Sequence, residues 1–173
     1  MTRSILAALV LASTTVFAAE WKLLETPDFS VKLPGEAKKK EVTQQASSGE
    51  VKITVWGVQT ANAFFAVSTA DYAAQGLESD ELVKVRDGAI ESMQATLEKD
   101  SVVSLDSPTT KKKYTGREFA AKTKTGIKFA ARLFLVEKRL YQIICVSPHG
   151  SFSAADFKVF ADSFKLRPAM ALP

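Results

Sequence analysis

The chain has 173 residues, a formal net charge of +4, one cysteine and one histidine. This length suits one domain, and a single cysteine excludes an internal disulfide framework of the kind that stabilises small secreted domains. One histidine and one cysteine also exclude a structural zinc site, which needs four ligands. We expect no cofactor and no metal ligand. The basic residues have no aromatic residues interleaved among them, so we also expect no nucleic-acid partner.

The first residues have the layout of a secretory signal peptide. Arg3 supplies a basic start, Ile5 to Val16 is apolar, and Ala18 and Ala19 offer a cleavage site. The apolar run is shorter than the roughly 20 residues that a membrane span needs. The sequence predicts a signal peptide at 1–18, one domain at 19–168 and a loose tail at 169–173. The mature protein would then be extracytoplasmic, either periplasmic or secreted, without a transmembrane anchor.

The first half of the mature chain shows short alternating or apolar runs separated by turn residues, which is typical of strands. The predicted strands are Trp21–Glu25, Phe29–Leu33, Lys38–Ala46, Glu50–Gln59 and Ala63–Thr69. The segment from Asp71 to Gly76 is expected to be a loop or a single turn of helix.

The segment from Asp80 to Glu98 changes period. Its apolar residues recur at steps of three and four, which predicts an amphipathic helix with one buried stripe. Ser79 is the expected N-cap. Gly88 costs about 1 kcal/mol against alanine in a helix interior, and we interpret it as a point of close packing on the sheet.

The alternation of period two then returns. Further strands are predicted at Val102–Ser107, Tyr114–Lys122, Ile127–Val136 and Leu140–Ser147. The joins are short, so neighbouring strands should pair antiparallel. The last two strands are apolar on both faces, which is typical of strands in the middle of a sheet that is covered on both sides.

A second helix is predicted from Ser153 to Pro168, with Phe157, Phe160 and Phe164 on one face. Ser153 and Asp156 are spaced like a capping box. A sheet with one helix in mid-chain and one at the end predicts an α+β fold, in which helices sandwich a single antiparallel β-sheet.

Four segments carry a resemblance to a known family. They are FSVKLPGEAKKKE from Phe29, YTGREFAAKT from Tyr114, RLFLVEKRLYQIICV from Arg132 and FKVFADSFKL from Phe157. Together they resemble the PsbP-like group, which includes the extrinsic PsbP protein of photosystem II, a Ran-binding nuclear import factor and many exported bacterial proteins. The resemblance implies an antiparallel sheet between helices and a role in binding other proteins or as an accessory subunit. It carries over no active-site residues.

The segment LYQIICVSPHG contains both Cys145 and His149, which raises the question of a thiol–imidazole pair. In a strand, Cys145 shares a face with Tyr141 and Ile143, so it should be buried and inert. His149 follows Pro148 and has left the strand. An extended chain separates the two Cα atoms by about 13 Å, so we predict a buried strand followed by a surface loop.

Two basic runs form a possible surface for an anionic partner such as phosphate, a lipid headgroup or an acidic protein. They are Lys38, Lys39 and Lys40, and Lys111, Lys112 and Lys113. The simpler interpretation is that these lysines are solvated and keep strand edges soluble.

No G-x-S-x-G, P-loop or H-E-x-x-H motif occurs, and no catalytic residue is predicted. The favoured function is therefore an exported binding or accessory module. Its partner would be an unknown envelope protein or a small ligand, bound in the groove between the sheet and the long helix or at a loop edge. Two alternatives stay open. One is a hydrolase-like enzyme with two carboxylates in a deep polar pocket, and the other is a peripheral binder of anionic membrane through the lysine runs.

Overall fold

The structure, a computed structural model, describes residues 20–46, 49–71, 81–149 and 153–168. These residues form ten strands and two helices. The elements are β1 (Lys22–Glu25), β2 (Phe29–Leu33), β3 (Lys38–Ala46), β4 (Gly49–Gln59), β5 (Phe64–Asp71), α1 (Glu81–Ser92), β6 (Ala95–Asp106), β7 (Lys113–Thr123), β8 (Lys128–Val136), β9 (Arg139–Ser147), α2 (Ala154–Asp162) and β10 (Lys165–Leu166).

The strands form two antiparallel sheets. The larger sheet has seven strands in the order β3-β4-β5-β9-β8-β7-β6, and the smaller has three in the order β1-β2-β10. The predicted hairpins of the second half are confirmed: β7 pairs with β8 and β8 pairs with β9. The central position of β8 and β9, predicted from their apolar runs, is confirmed as well.

The predicted fold class, an α+β fold with a sheet sandwiched by helices, is wrong. The fold is dominated by its two sheets, and the helices have only 12 and 9 residues. The prediction placed the N-terminal strands in one common sheet. Instead, β1 and β2 join β10 in a separate sheet that packs on the larger one.

We call the side of the large sheet that faces the small sheet and α2 the aromatic face. Phe29 from β2, Phe65 from β5 and Phe160 from α2 pack there in one cluster with Cys145 and Ile143 of β9. The rings of Phe65 and Phe160 meet edge to face, with centroids 5.6 Å apart and planes at 86°. Such pairs add to the burial of apolar area, so this face holds the main core.

We call the opposite side the helix face, because α1 packs there. Leu82 is buried against Phe119, Phe129 and Leu133, while Val85 and other α1 residues are only partly buried. The contacts of α1 are to β6, β7 and β8, which make up one end of the sheet.

Helix α1 ends at Ser92 rather than at the predicted Glu98. Gln94 has a positive φ of 49°, which turns the chain, and β6 begins at Ala95. Leu97 continues the helical spacing by coincidence and pairs with Ala121 of β7 instead. The interpretation of Gly88 is also wrong: it is exposed, and a Cβ built there has no heavy atom within 4 Å.

Helix α2 begins as predicted but ends earlier. The Ser153 side chain caps it by accepting from the N–H groups of Ala155 and Asp156. The helix ends at Asp162, and Phe164 follows it outside the helix. The chain then pairs Lys165 with Ser30, because β2 offers a free edge to β10.

Each face also carries a charged cluster that ties a helix to the sheet. On the aromatic face, Arg132 of β8 binds Glu118 of β7 and Asp162 of α2. On the helix face, Asp100 of β6 accepts from Arg86 of α1 and Arg117 of β7. Every member except Asp162 is at most 26% exposed, so the bonds among these members are screened less than surface ion pairs.

Several predictions lie outside the described residues. They are the signal peptide at 1–18, the part of the expected loop between Asp71 and Gly76 that follows Asp71, the N-cap Ser79 and the tail at 169–173. Across the described ranges, neither helix has the length and apolar character needed to cross a membrane.

Candidate functional site

Cys145 and His149 lie where the sequence predicts. Cys145 is 0% exposed in β9 and packs in the aromatic-face cluster. Burial raises the pKa of its thiol to about 12, with a smaller contribution from the charge of Asp156. His149 is exposed beyond the end of β9. The prediction of a buried strand followed by a surface loop is confirmed.

The first lysine run lies at the start of β3, an edge strand. Lys38, Lys39 and Lys40 are all exposed. Lys39 forms an ion pair of 2.5 Å with Glu41 and lies 6.0 Å from the ring centre of Trp56. Glu41 is fully exposed, and the bond from Lys39 lowers its pKa.

The second run lies in the loop between β6 and β7 and at the start of β7. Lys111, Lys112 and Lys113 are exposed, and Lys112 lies 5.0 Å from the ring centre of Tyr114. Lys113 has Asp106 at 3.8 Å. Strands β3 and β7 are five neighbours apart in the sheet, or about 24 Å at roughly 4.8 Å per strand. The two runs therefore do not form one basic surface.

The structure instead shows a cleft of about 590 Å³ at one end of the sandwich. We call it the Arg139 cleft. The turn between β1 and β2, the end of β5, the loop between β6 and β7, the turn between β8 and β9, and the segment after β10 all contribute to its wall. Its lining residues are Asp28, Asp71, Ser107, Pro108, Thr109, Thr110, Tyr114, Val136, Glu137, Lys138, Arg139, Tyr141, Leu166 and Arg167.

Arg139 is the central group of the cleft. Its Nε and Nη2 donate to the two carboxylate oxygens of Asp71 at 2.5 and 3.1 Å, and its Nη1 donates to Asp28 Oδ2 at 2.6 Å. Asp71 belongs to the large sheet and Asp28 to the turn of the small sheet. The guanidinium therefore fastens the two sheets together at the mouth of the cleft.

The sheet register explains how these groups meet. Arg139 is the first residue of β9 and pairs directly with Asp71, the last residue of β5. The bonds to Asp71 raise the pKa of Arg139, and the charge of Asp28 adds to the rise while burial opposes it. Arg139 is therefore a permanent cation, as a bidentate arginine–carboxylate pair requires.

The floor of the cleft is formed by four side chains that pack on the aromatic-face core: Tyr114, Val136, Tyr141 and Leu166. Tyr141 is buried, which raises the pKa of its hydroxyl, and Arg139 opposes part of that rise. The hydroxyl therefore stays protonated at neutral pH. The floor offers aromatic and aliphatic surface to a ligand.

Two loops support the walls. In the first, the Arg167 N–H donates to the Asp28 carbonyl at 2.8 Å, and Arg167 Nη1 donates to the Thr26 carbonyl at 3.2 Å. In the second, Ser107 Oγ accepts from the N–H groups of Thr109 and Thr110. These bonds within the chain hold both walls in place.

A second cleft of about 450 Å³ adjoins the first and shares Ser107, Pro108 and Leu166 with it. It runs between the end of β6 and the end of α2, with Phe134 and Phe164 in its lining.

The acids of the cleft do not form the carboxylate pair that the enzyme hypothesis requires. Asp28 and Asp71 are both bonded to the cation Arg139 and not to each other. Among the described residues, no group of three or more His, Cys, Asp or Glu side chains is placed to hold a metal ion.

The sequence analysis did not find this cleft. Asp28, Asp71 and Arg139 are far apart in the chain, and each follows or precedes a turn in the way that many surface charges do. No spacing rule connects them, and only the pairing of β5 with β9 and the packing of the small sheet bring them together. The predicted groove between the sheet and the long helix is a different place, on the helix face.

No protein-family model matches the sequence, and the search of curated proteins finds no matching relative. The resemblance to the PsbP-like group therefore stays a prediction that rests on the quoted segments.

Proposed function

We propose that this protein is an exported binding module that holds a small amphipathic ligand in the Arg139 cleft. The observation that carries the proposal is that contacts within the chain hold the shape of the cleft. Arg139 joins both sheets through Asp28 and Asp71, and the two wall loops satisfy their own polar groups. A cleft of about 590 Å³ is within the size range of small-molecule sites.

The charges of the lining indicate the class of ligand. The acids Asp28, Asp71 and Glu137 are matched in number by the bases Lys138, Arg139 and Arg167. Three nitrogens of Arg139 already donate to carboxylates, so the guanidinium does not offer a clamp for an anion. The ligand is therefore uncharged or zwitterionic, with an apolar part that lies on Tyr114 and Val136.

The test is native mass spectrometry of the protein purified gently from the extracytoplasmic fraction of its source. The chain offers a matched pair of variants, Val136→Trp in the floor of the cleft and Val159→Trp on the exposed side of α2. We expect a small added mass on the wild type and on Val159→Trp, and its loss from Val136→Trp. A wild type that carries no added mass, or an added mass that persists in Val136→Trp, would overturn the proposal.

The same sample tests export. The denatured mass should correspond to a chain that begins at Ala19, because the predicted cleavage follows Ala18. A mass that includes the first 18 residues would contradict the signal peptide without affecting the cleft.

A further inference from the structure

We propose that the two outer edges of the large sheet pair with each other between molecules, so that copies of this chain associate head to tail. Strands β3 and β6 are the outermost strands. Within the described ranges, β3 pairs with β4 and β6 pairs with β7, and neither has a partner on its outer side. An edge with unpaired N–H and C=O groups is a template for another strand.

The two edges carry opposite charge. Strand β3 has three lysines, Lys38, Lys39 and Lys40, and one acid, Glu41, which gives +2. Strand β6 has three acids, Glu98, Asp100 and Asp106, and one base, Lys99, which gives −2. Pairing β3 with β3, or β6 with β6, brings like charges together and is disfavoured, whereas pairing β3 with β6 is electrostatically complementary.

The directions of the strands also agree. Six antiparallel pairings separate β3 from β6, so the two strands run in the same direction. A second copy displaced sideways along the sheet therefore presents its β3 parallel to the β6 of the first, with α1 on the same side in both. The displacement leaves the faces of the two sheets continuous.

One parallel register aligns the exposed apolar residues of the two edges. It sets Val42 level with Val102 and Lys40 level with Asp100, and the alternation of each strand places all four on the helix face. Asp100 already accepts from Arg86 and Arg117 in its own molecule, so the two valines, rather than this charge pair, favour the register. Val42 is 43% exposed, and Val102, at 66%, has the highest exposure among the large apolar residues of the described chain. Pairing the two edges lets the valines pack side by side and reduces the exposure of both.

On the aromatic face, this register creates no unpaired like charges. It sets Lys39 level with Lys99, but each already has an acidic partner in its own molecule. Lys39 binds Glu41 at 2.5 Å and Lys99 binds Glu118 at 3.3 Å. The contact joins the β3 edge of one copy to the β6 edge of the next. Every assembly therefore still has one unpaired β3 edge and one unpaired β6 edge, and the association is open-ended.

Sedimentation velocity on the full mature chain over a series of concentrations at low salt tests the proposal. We expect the wild type to form dimers, trimers and larger species, and added salt to dissociate them, because salt screens exposed charges. A wild type that stays monomeric throughout would overturn the proposal.

Two singly blocked variants identify the edges. Lys38→Glu/Lys40→Glu blocks β3. Val102→Lys blocks β6 and keeps all three residues of the Arg86–Asp100–Arg117 cluster, although position 102 pairs with Arg117. Each alone should be monomeric, and an equal mixture should give one heterodimer and nothing larger, since only one intact β3 and one intact β6 remain. Thermal unfolding of each variant is measured alongside, so that loss of association is distinguished from loss of fold.

The controls carry the same charge changes elsewhere on exposed residues. Lys22→Glu/Lys124→Glu matches the first variant and Val159→Lys matches the second. Both controls should associate like the wild type. If they are monomeric too, or if the blocked variants still polymerise, the sheet edges are not the interface.

Discussion

The two faces of the large sheet hold their helices by different means. Helix α2 buries Phe157, Phe160 and Ala161 in the aromatic-face core, whereas α1 buries only Leu82. The aromatic face is stabilised mainly by the removal of large apolar side chains from water. The helix face depends more on partial burial and on the Arg86–Asp100–Arg117 cluster. A short helix can thus be held on a sheet either by burial of its aromatic side chains or by ion pairs with the strands.

The largest expected difference between the faces is in core truncation. Phe160 is 0% exposed, so Phe160→Ala should lower the free energy of unfolding by about 3 to 5 kcal/mol. Val85 on α1 is only partly buried, so Val85→Ala should cost about 1 kcal/mol. Urea unfolding followed by circular dichroism measures both. Equal losses would contradict the unequal roles of the two helices.

Two glycines give changes of opposite sign. A Cβ at Gly116 would lie 2.3 Å from Phe134 Cδ1 and 2.5 Å from the Leu133 carbonyl oxygen, so Gly116→Ala should destabilise by about 3 kcal/mol. Gly88 on α1 has open space, so Gly88→Ala should stabilise by about 0.5 to 1 kcal/mol through its helix propensity. Midpoints of thermal unfolding should move in opposite directions. If the unfolding midpoint of Gly88→Ala falls as well, the space beside Gly88 is not open as described.

Substitutions of Cys145 test whether the aromatic face can accommodate a polar group. Cys145→Ser places a hydroxyl where the side chain is 0% exposed, and we expect a loss of about 2 kcal/mol. Cys145→Ala, the matched control, removes the thiol without adding a polar group and should cost less. Urea titration ranks the three proteins. A serine variant as stable as the alanine variant would show that the site supplies a hydrogen-bond partner.

The smallest expected effect concerns the charged cluster of the aromatic face. Burial alone would raise the pKa of Glu118, but the bonds from Arg132, then Lys99, outweigh it and lower the pKa below the usual 4.5. An acid whose pKa is lower in the folded state than in the unfolded state stabilises the fold at pH values above its unfolded pKa. This contribution is lost as the pH falls through its folded pKa. Glu118→Gln should therefore cost about 1 kcal/mol at pH 7, and the difference from the wild type should shrink below pH 4.5.

The control for this pH dependence is Glu91→Gln, at an exposed position of α1. Its stability should follow that of the wild type across the same pH range. A Glu118→Gln difference that stays constant down to strongly acidic pH would show that the ionised form of Glu118 contributes no stability.

The strands of the second half were predictable because their signal is local. The apolar runs around Leu133 and Ile143 and the two-residue turn between them specify a hairpin from neighbouring residues alone. The Ser153 cap was found for the same reason. The end of α1 was not, because Leu97, Glu98 and Lys99 favour a helix locally, and only pairing with β7 makes them a strand.

The fold class and the cleft depend on contacts between distant segments. Nothing in the sequence of β1 and β2 distinguishes strands of the large sheet from strands of a second sheet. Their sheet is completed by pairing of β2 with β10, at the other end of the chain. Asp28, Asp71 and Arg139 meet through the same long-range packing. Periodicity predicts elements, but the assignment of a strand to a sheet is a property of the whole chain.

The pairing of β10 with β2 has a consequence for the order of folding. Lys165 and Leu166 close the small sheet on Ser30 and Phe29, and Arg167 then holds the Asp28 carbonyl. Contacts between such distant parts of a chain form slowly, because a long loop must close first. One wall of the Arg139 cleft is therefore completed only when the last residues of the domain pair with β2. A chain that stops short of Lys165 lacks that wall.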